Sequence, residues 1–260
     1  MKKMLSLALL AGALSQTAFA TIQTKDVVYK DGKTELKGFL AWDDAIKSAP
    51  GVLVIHQWMG LTDYEKGRAK QLAGLGYVAL AADIYGAEDT PKDMAAAGAA
   101  AGKYKKDRAL YRSRAKAGLK ALSKQAGVDP KNLAAIGYCF GGMGALELGR
   151  AGADVRGIVS FHGALDSPTP ADGKNIKGKV LILHGADDPY VPKADIAALE
   201  AELKAAKVDY QFTFYSGAVH AFTQPMAGND NSNGAAYNAQ ADKRSWMALQ
   251  DFLEEIFPKK

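Results

Sequence analysis

Three observations in the 260-residue sequence predict an α/β domain with a mostly parallel central sheet and helices on both faces. Short apolar runs, such as 51–56, 77–82 and 133–138, have the length and continuous apolar character of buried strands. Amphipathic, helix-like segments alternate with these runs. No linker, repeat or low-complexity tract divides the sequence after residue 20. We therefore expect one domain over residues 21–260.

The elements of the N-terminal half follow from the spacing of apolar residues. The helix after the first buried strand places Leu61, Tyr64 and Leu72 near one face. Gly74 ends this helix. A long stretch rich in Ala and Lys then predicts two helices that divide near Gly102. The predicted elements of this half are strands at 26–29, 34–42, 51–56 and 77–82 and helices at 61–74 and 91–125.

The C-terminal half continues the alternation of strands and helices. Its apolar runs are again short, and each precedes a glycine-containing turn or a helical segment. The predicted strands are 133–138, 155–161, 180–183 and 210–215, and the predicted helices are 141–150, 194–206 and 239–257.

Composition excludes several classes of protein. Hydrophobic residues make up 48% of the chain, which is too many for a disordered protein. The 27 glycines show no period of three and cysteine occurs once, so collagen-like and disulfide-stapled scaffolds are excluded. The 33 Lys and Arg are interleaved with 28 Asp and Glu, so the net charge of +5 does not indicate a nucleic-acid partner.

Residues 1–20 have the pattern of a bacterial secretory signal peptide. Lys2 and Lys3 precede a short apolar run, and a small-residue site follows at Ala18-Phe19-Ala20. The alternative is an N-terminal membrane anchor, but the run is shorter than the ~20 residues that span a bilayer. We expect cleavage after Ala20, a periplasmic or secreted protein, and no stable membrane insertion afterwards. A lone cysteine in that oxidising compartment is either buried and inert or functional.

That cysteine, Cys139, lies in Gly137-Tyr138-Cys139-Phe140-Gly141, directly after a predicted strand and before a helix. G-x-C-x-G is the nucleophile-elbow pattern with sulfur in place of a serine oxygen. The following helix favours a thiolate, and the N–H of Phe140 is the expected oxyanion donor. The alternative is a glycine-rich turn that packs an inert cysteine.

Two further features favour the catalytic interpretation. Asp187 and Asp188 follow the strand at 180–183, where a carboxylate can orient an imidazole. His220 comes after the last strand, which completes the order nucleophile, acid, histidine. Each of these residues could instead have a structural role in a turn. His56, His162 and His184 lack metal-ligand spacing, and neither a dinucleotide motif nor a P-loop is present, so we expect no metal or cofactor.

With these motifs the chain resembles the dienelactone hydrolase family of α/β-hydrolases over nearly its whole length after residue 20. The matching segments are 137–142, Gly185-Ala186-Asp187-Asp188-Pro189-Tyr190-Val191-Pro192, His220-Ala221-Phe222 and 76–86. The resemblance implies that Asp188 is the triad acid, rather than Asp187, and that Trp58 supplies the second oxyanion N–H. It also marks two departures, because relatives commonly carry Glu at the position of Gln57 and an arginine shortly after the triad histidine.

The resemblance and the motifs together imply a hydrolase of carboxylic esters, lactones or thioesters that uses a Cys139–His220–Asp188 triad and a thioacyl-enzyme intermediate. Gln57 and Tyr85 are candidate pocket residues. The expected partner is a small ester or lactone, and we expect a monomer. Two alternatives remain: an acyltransferase with the same triad, and a non-catalytic periplasmic binding protein on the same fold.

Overall fold

A sheet of eight strands forms the centre of residues 21–257, the part of the chain that the computed structural model describes. The predicted signal peptide, residues 1–20, lies outside the described residues. The strands are β1 (Ile22–Asp31), β2 (Thr34–Asp43), β3 (Ala49–Ile55), β4 (Val78–Ala82), β5 (Val128–Tyr138), β6 (Gly157–Phe161), β7 (Lys179–Gly185) and β8 (Tyr210–Tyr215). The α-helices in the same part of the chain are α1 (Asp63–Gly74), α2 (Met94–Lys106), α3 (Arg108–Ser123), α4 (Phe140–Arg150), α5 (Lys193–Ala205) and α6 (Ala239–Ile256).

The strands lie in the order β1-β2-β4-β3-β5-β6-β7-β8. β1 and β2 form an antiparallel hairpin, and β2 pairs antiparallel with β4. All further neighbours, from β4 and β3 across to β8, pair in parallel. The predicted α/β class with a mostly parallel sheet is therefore confirmed.

Two apolar layers cover the sheet, and the side-chain alternation of β3 shows how they form. Leu53 and Ile55 pack into the layer that contains residues of α2, α3, α4 and α5. Val52 and Val54 point to the opposite layer, with residues of α1 and α6. All four side chains are inaccessible to solvent, and burying each stabilises the fold by roughly 1.5–3 kcal/mol. A strand buried on both faces explains the continuous apolar run in the sequence.

The predicted division of the long helical stretch near Gly102 is wrong, because the break lies at Asp107. The backbone N–H of Asp107 donates to the carbonyl of Lys103 at the end of α2, and its carboxylate accepts from the N–H of Leu110 at 2.9 Å. One residue thus caps two helices. Gly102 stays inside α2, where no atom lies within 4 Å of the place a Cβ would take.

The carboxyl ends of the parallel strands all lie along one edge of the sheet, which is where sites form in open α/β folds. β5 leads into Cys139, β6 into His162 and β7 into the loop that carries Asp188. The segment with His220 follows β8. Within residues 21–257, no helix combines the length and apolar character needed to cross a membrane.

Candidate active site

Cys139 lies at a sharp turn between β5 and α4, with φ 55° and ψ −115°. This left-handed conformation is strained for a residue with a side chain. Two glycines make the turn possible, because a Cβ on Gly137 would lie 2.0 Å from the carbonyl oxygen of Gly141. A Cβ on Gly141 would lie 2.1 Å from the carbonyl oxygen of Ile55. The glycines of the G-x-C-x-G motif therefore let the elbow pack directly against β3.

The structure brings Cys139, His220 and Asp188 together in one line. Nε2 of His220 lies 3.1 Å from Sγ of Cys139, and Nδ1 of His220 lies 2.8 Å from Oδ2 of Asp188. Oδ1 of Asp188 accepts a hydrogen bond from the N–H of Tyr190 at 2.9 Å, so the carboxylate is fixed in place. Asp187 instead accepts from the N–H of Gly217. The carboxylate that contacts the imidazole is therefore that of Asp188.

The surroundings of His220 favour its protonated form. Burial disfavours the imidazolium and so lowers the pKa of His220. The negative charge of Cys139, followed by the hydrogen bond to Asp188, favours the imidazolium and raises that pKa. Together these interactions raise the pKa of His220 to about 10. At neutral pH the arrangement thus suits an imidazolium at His220, between the sulfur of Cys139 and the side chain of Asp188.

Two backbone N–H groups, one in the elbow and one in the loop after β3, are candidates for the oxyanion hole. Phe140 is the first residue of α4, so its N–H has no partner in the helix. In the loop after β3, the carbonyl of Gln57 accepts from Nδ1 of His56 at 2.5 Å and from the N–H of Gly60 at 3.1 Å. The N–H of Trp58 belongs to the same planar peptide group as the carbonyl of Gln57, so it points in the direction opposite to that carbonyl. Within residues 21–257, no hydrogen-bond acceptor is found for the N–H of Phe140 or Trp58.

The loop that carries Trp58 is held by two buried side chains whose role the sequence did not indicate. Glu65 accepts the N–H of Gln57 at 3.1 Å and also caps α1 through the backbone and hydroxyl of Thr62. Tyr85 donates its hydroxyl to the carbonyl of Trp58 at 2.9 Å. The capping-box pattern of Thr62 and Glu65 is a sequence signal for the contact between those two residues, but not for the contact of Glu65 with Gln57.

The two candidate pocket residues differ in their placement. Gln57 is 7% exposed and sits in the loop beside the elbow. Tyr85 is 1% exposed and packs against the rings of His56 and Phe140, so it supports the loop rather than lining an open pocket. An aromatic ring that does face solvent is Tyr190, whose centroid lies 5.4 Å from that of His220.

The other histidines contribute to packing around the site. His56 joins the ends of two strands, because its Nε2 accepts from the N–H of Ile84 at 3.2 Å. His162 and His184 are buried at the ends of β6 and β7, and burial lowers the pKa of each. Among the described residues, no group of three or more His, Cys, Asp or Glu side chains is arranged to hold a metal ion.

Comparison with known proteins identifies the family of the chain. The model of the dienelactone hydrolase family matches residues 36–257. The solved structure of a protein called m3DLH is 42% identical, with a TM-score of 0.87 over 90% of this chain and 98% of its own. A dienelactone hydrolase-like promiscuous phosphotriesterase from metagenomic libraries is 41% identical, with a TM-score of 0.85 over the same shares. A protein of Synechocystis sp., provisionally named carboxymethylenebutenolidase, is 28% identical over 90% of this chain and 97% of its own. The chain has the α/β-hydrolase fold and belongs to the dienelactone hydrolase family of carboxylic ester hydrolases.

Proposed function

We propose that the protein hydrolyses esters, lactones or thioesters through a Cys139–His220–Asp188 triad and a thioacyl-enzyme intermediate. The observation that carries this proposal is the continuous contact from Sγ through the imidazole to the carboxylate, at 3.1 and 2.8 Å. The first distance lets Nε2 exchange a proton at the reacting centre, and the second is that of a hydrogen bond that orients the imidazole.

In the first half of the reaction, the Cys139 thiolate attacks the carbonyl carbon and forms a C–S bond. The negative charge that develops on the carbonyl oxygen is stabilised by the N–H groups of Phe140 and Trp58. When the tetrahedral intermediate collapses, the C–O bond to the alcohol breaks, and His220 gives its Nε2 proton to the departing alkoxide. The products of this half are an alcohol and a thioacyl-enzyme.

In the second half, neutral His220 takes a proton from water, and the resulting hydroxide attacks the thioacyl carbon. The C–S bond breaks, the carboxylic acid leaves, and the thiolate–imidazolium pair is restored. Asp188 holds Nδ1 throughout, so Nε2 always faces the reacting atoms.

The substrate we propose is a small, uncharged ester or lactone. No arginine lies among the four residues after the triad histidine, which read Ala221-Phe222-Thr223-Gln224. A cation placed there would pair with an anionic substrate, whereas Gln224 can only hydrogen-bond. Dienelactone, which carries a carboxylate, is therefore expected to be a poorer substrate than a neutral lactone of similar size.

The variant Cys139→Ala tests whether Cys139 is the nucleophile. We expect Cys139→Ala to lower kcat for 4-nitrophenyl acetate by a factor on the order of 10⁴. Wild-type enzyme should release one equivalent of nitrophenolate in a burst and gain the mass of an acetyl group, provided deacylation is slower than acylation. Full activity of Cys139→Ala would overturn the proposal. An added alcohol or amine distinguishes the acyltransferase alternative, and ligand binding without acylation would indicate a binding protein.

Hydrolysis of neutral phosphotriesters is a second candidate activity, favoured by the 41% identical phosphotriesterase. Attack on phosphorus would use the same thiolate and would also develop negative charge on an oxygen next to the N–H donors. A diethyl aryl phosphate with a 4-nitrophenolate leaving group tests it. Loss of this activity in Cys139→Ala would assign both reactions to one nucleophile.

Export and oligomeric state form a separate proposal. We propose that residues 1–20 are a signal peptide and that the mature protein, starting at Thr21, is a periplasmic or secreted monomer with one domain. Lys2, Lys3 and the Ala18-Phe19-Ala20 site support the cleavage. N-terminal sequencing of the exported protein and light scattering of the mature chain test the two parts.

A further inference from the structure

A chain of polar side chains lies behind the triad histidine and takes no part in the mechanism above. Nε of Arg68 lies 3.2 Å from the hydroxyl oxygen of Tyr64, which lies 2.6 Å from Oγ1 of Thr223. Oγ1 of Thr223 lies 2.8 Å from Nε2 of His162. Thr223 and His162 are inaccessible to solvent, and Arg68 is 8% exposed. This chain of four side chains, from Arg68 to His162, is called the polar chain below.

The hydrogen bonds of the polar chain run in one direction. A guanidinium N–H can only donate, so Tyr64 accepts from Arg68. Tyr64 then has its own hydrogen for Thr223, and Thr223 has its hydroxyl hydrogen for Nε2 of His162. Burial raises the pKa of Tyr64 and lowers that of His162, so the phenol keeps its proton and Nε2 can accept. In this order each hydroxyl hydrogen has an acceptor, and the proton of neutral His162 is on Nδ1.

The polar chain holds the segment that carries His220 in place through hydrogen bonds to Thr223. Thr223 is three residues after His220, and its carbonyl also accepts from Nη2 of Arg68 at 3.3 Å. Arg68 is held in turn by the carboxylate of Asp242 in α6. The backbone and the hydroxyl of Thr223 are therefore both tied to α1, which fixes the position of the segment between the sheet and the two helices.

The far end of the polar chain forms a wall for the catalytic ring. The rings of His162 and His220 have centroids 5.3 Å apart and an angle of 66° between their planes. His162 has φ 38°, a left-handed conformation that a non-glycine residue adopts only when its surroundings hold it there. The hydrogen bond from Thr223 fixes the plane of this ring, since Nδ1 of His162 has no partner among the described residues.

We propose that Thr223 is a positioning residue for catalysis: its hydroxyl, supplied through Tyr64 and Arg68, orients His162 and thereby holds His220 between Asp188 and Cys139. Without that hydroxyl, the imidazole of His162 loses its hydrogen bond from Thr223, and only packing then sets the plane of the ring beside His220. The imidazole of His220 then samples orientations in which Nε2 is out of reach of Sγ. The proposal rests on the proposed triad.

Thr223→Val, which keeps the shape of the side chain and removes the hydroxyl, is the test. We expect kcat for 4-nitrophenyl acetate to fall roughly ten- to hundred-fold, because small misplacements of a catalytic group cost that much, while KM changes less than about twofold. The rate of Cys139 alkylation by iodoacetamide at pH 7 should fall as well, since a misplaced imidazolium stabilises the thiolate less. Thr223→Ser restores the hydroxyl and should restore both rates.

Thr213→Val is the matched control. Thr213 lies in β8, where its hydroxyl contacts Gln211, and the same chemical change there should leave both rates unchanged. If Thr223→Val does not fold, Tyr64→Phe removes the donor to Thr223 and should lower kcat in the same direction. Wild-type kcat and alkylation in a folded Thr223→Val or, failing that, in Tyr64→Phe would overturn the positioning role. Activity of Cys139→Ala would instead overturn the triad itself.

Discussion

At the scale of single residues, the protonation of His220 depends on the sulfur beside it. The charge of Cys139 is the largest of the influences that raise the pKa of His220 to about 10, whereas burial opposes them. Cys139→Ala removes that charge and leaves the burial, so we expect the pKa of His220 to fall well below 10. Titration of the imidazole Cε1 proton by NMR from pH 5 to 11 measures it. An unchanged midpoint in the variant would show that the ion pair does not form.

The same raised pKa makes stability depend on pH. In the folded protein, His220 binds its proton more tightly than a histidine with the ordinary pKa of 6.5. The stabilisation that protonated His220 gives the fold is therefore complete below pH 6.5 and is lost as the pH rises through about 10. We expect the melting temperature of the wild-type protein to decline across that interval. His220→Gln should show a smaller decline between pH 6.5 and 10. Equal declines in the two proteins would contradict this linkage.

Gln57 is the residue at which this chain departs from the family pattern. The loop that carries it lies against the elbow, since a Cβ on Gly141 would fall 2.7 Å from the carbonyl of His56. A carboxylate introduced here would disfavour the neighbouring thiolate through repulsion of like charges. We therefore expect Gln57→Glu to slow the alkylation of Cys139 by iodoacetamide at pH 7. Gln57→Met, which adds no charge, is the control, and an equal effect of both would point to packing instead.

At the scale of secondary-structure elements, glycines with different surroundings should respond in opposite ways to alanine. Gly98 lies inside α2 with no atom within 4 Å of an added Cβ, so Gly98→Ala should stabilise the protein by roughly 0.5–1 kcal/mol. In Gly141→Ala the Cβ would lie 2.1 Å from the carbonyl of Ile55, which displaces α4 from β3. Urea unfolding and esterase assays of both variants check this. A stable, active Gly141→Ala would contradict the close packing of the elbow.

Strands with continuous apolar runs are predictable from the sequence, whereas helix boundaries that depend on capping residues are less predictable. β3 and β4 are buried on both faces, so their sequence alone indicates a strand. The glycine at position 102 predicts a helix break there, whereas the break lies at Asp107, whose carboxylate caps α3. β5 begins at Val128, five residues before the apolar run, because Val128 and Asp129 pair with Ala49 and Pro50 beyond a register shift. Pairing with a strand that is distant along the chain leaves no pattern in the local sequence around residue 128.

At the scale of the whole molecule, the site divides into a part that the sequence indicates and a part that only the fold creates. Cys139, Asp188 and His220 follow strands in a recognisable order, so their meeting could be expected. The polar chain could not, because Thr223 is separated from Tyr64 by 159 positions and no motif links the two. Catalytic groups need particular residue types at strand ends. The residues that position them can be any polar residues that the topology brings near.

Buried charge joins the helices on the face of the sheet that includes α4. Glu147, in α4, contacts Arg108 and Arg112 of α3 and Arg150 of its own helix. Arg150 is inaccessible to solvent and binds both carboxylate oxygens of Glu202, in α5, at 2.8 and 2.7 Å. α4, the helix that follows Cys139, is thus tied by ion pairs to both neighbouring helices. A buried pair of this kind costs desolvation, which offsets much of the attraction between its two charges.

The Arg150–Glu202 pair allows a test of that effect on the stability of the whole molecule. Arg150→Met leaves Glu202 buried without its cation, and we expect the free energy of unfolding to fall by roughly 3–5 kcal/mol. Glu202→Leu should cost a comparable amount, because Arg150 then keeps only Glu147. The double variant replaces both charges by apolar groups and should recover most of the loss, since a buried ion pair and a packed apolar pair are similar in stability.

Urea unfolding of the wild type, both single variants and the double variant measures this coupling as a double-mutant cycle. The exposed cluster around Lys179, which contacts Asp209 and Glu255, is the control. Lys179→Met should barely change the urea midpoint, because solvent screens exposed ion pairs. If the losses of the two single variants simply added in the double variant, the coupling energy between Arg150 and Glu202 would be zero, and the expected recovery of stability by the apolar pair would be contradicted.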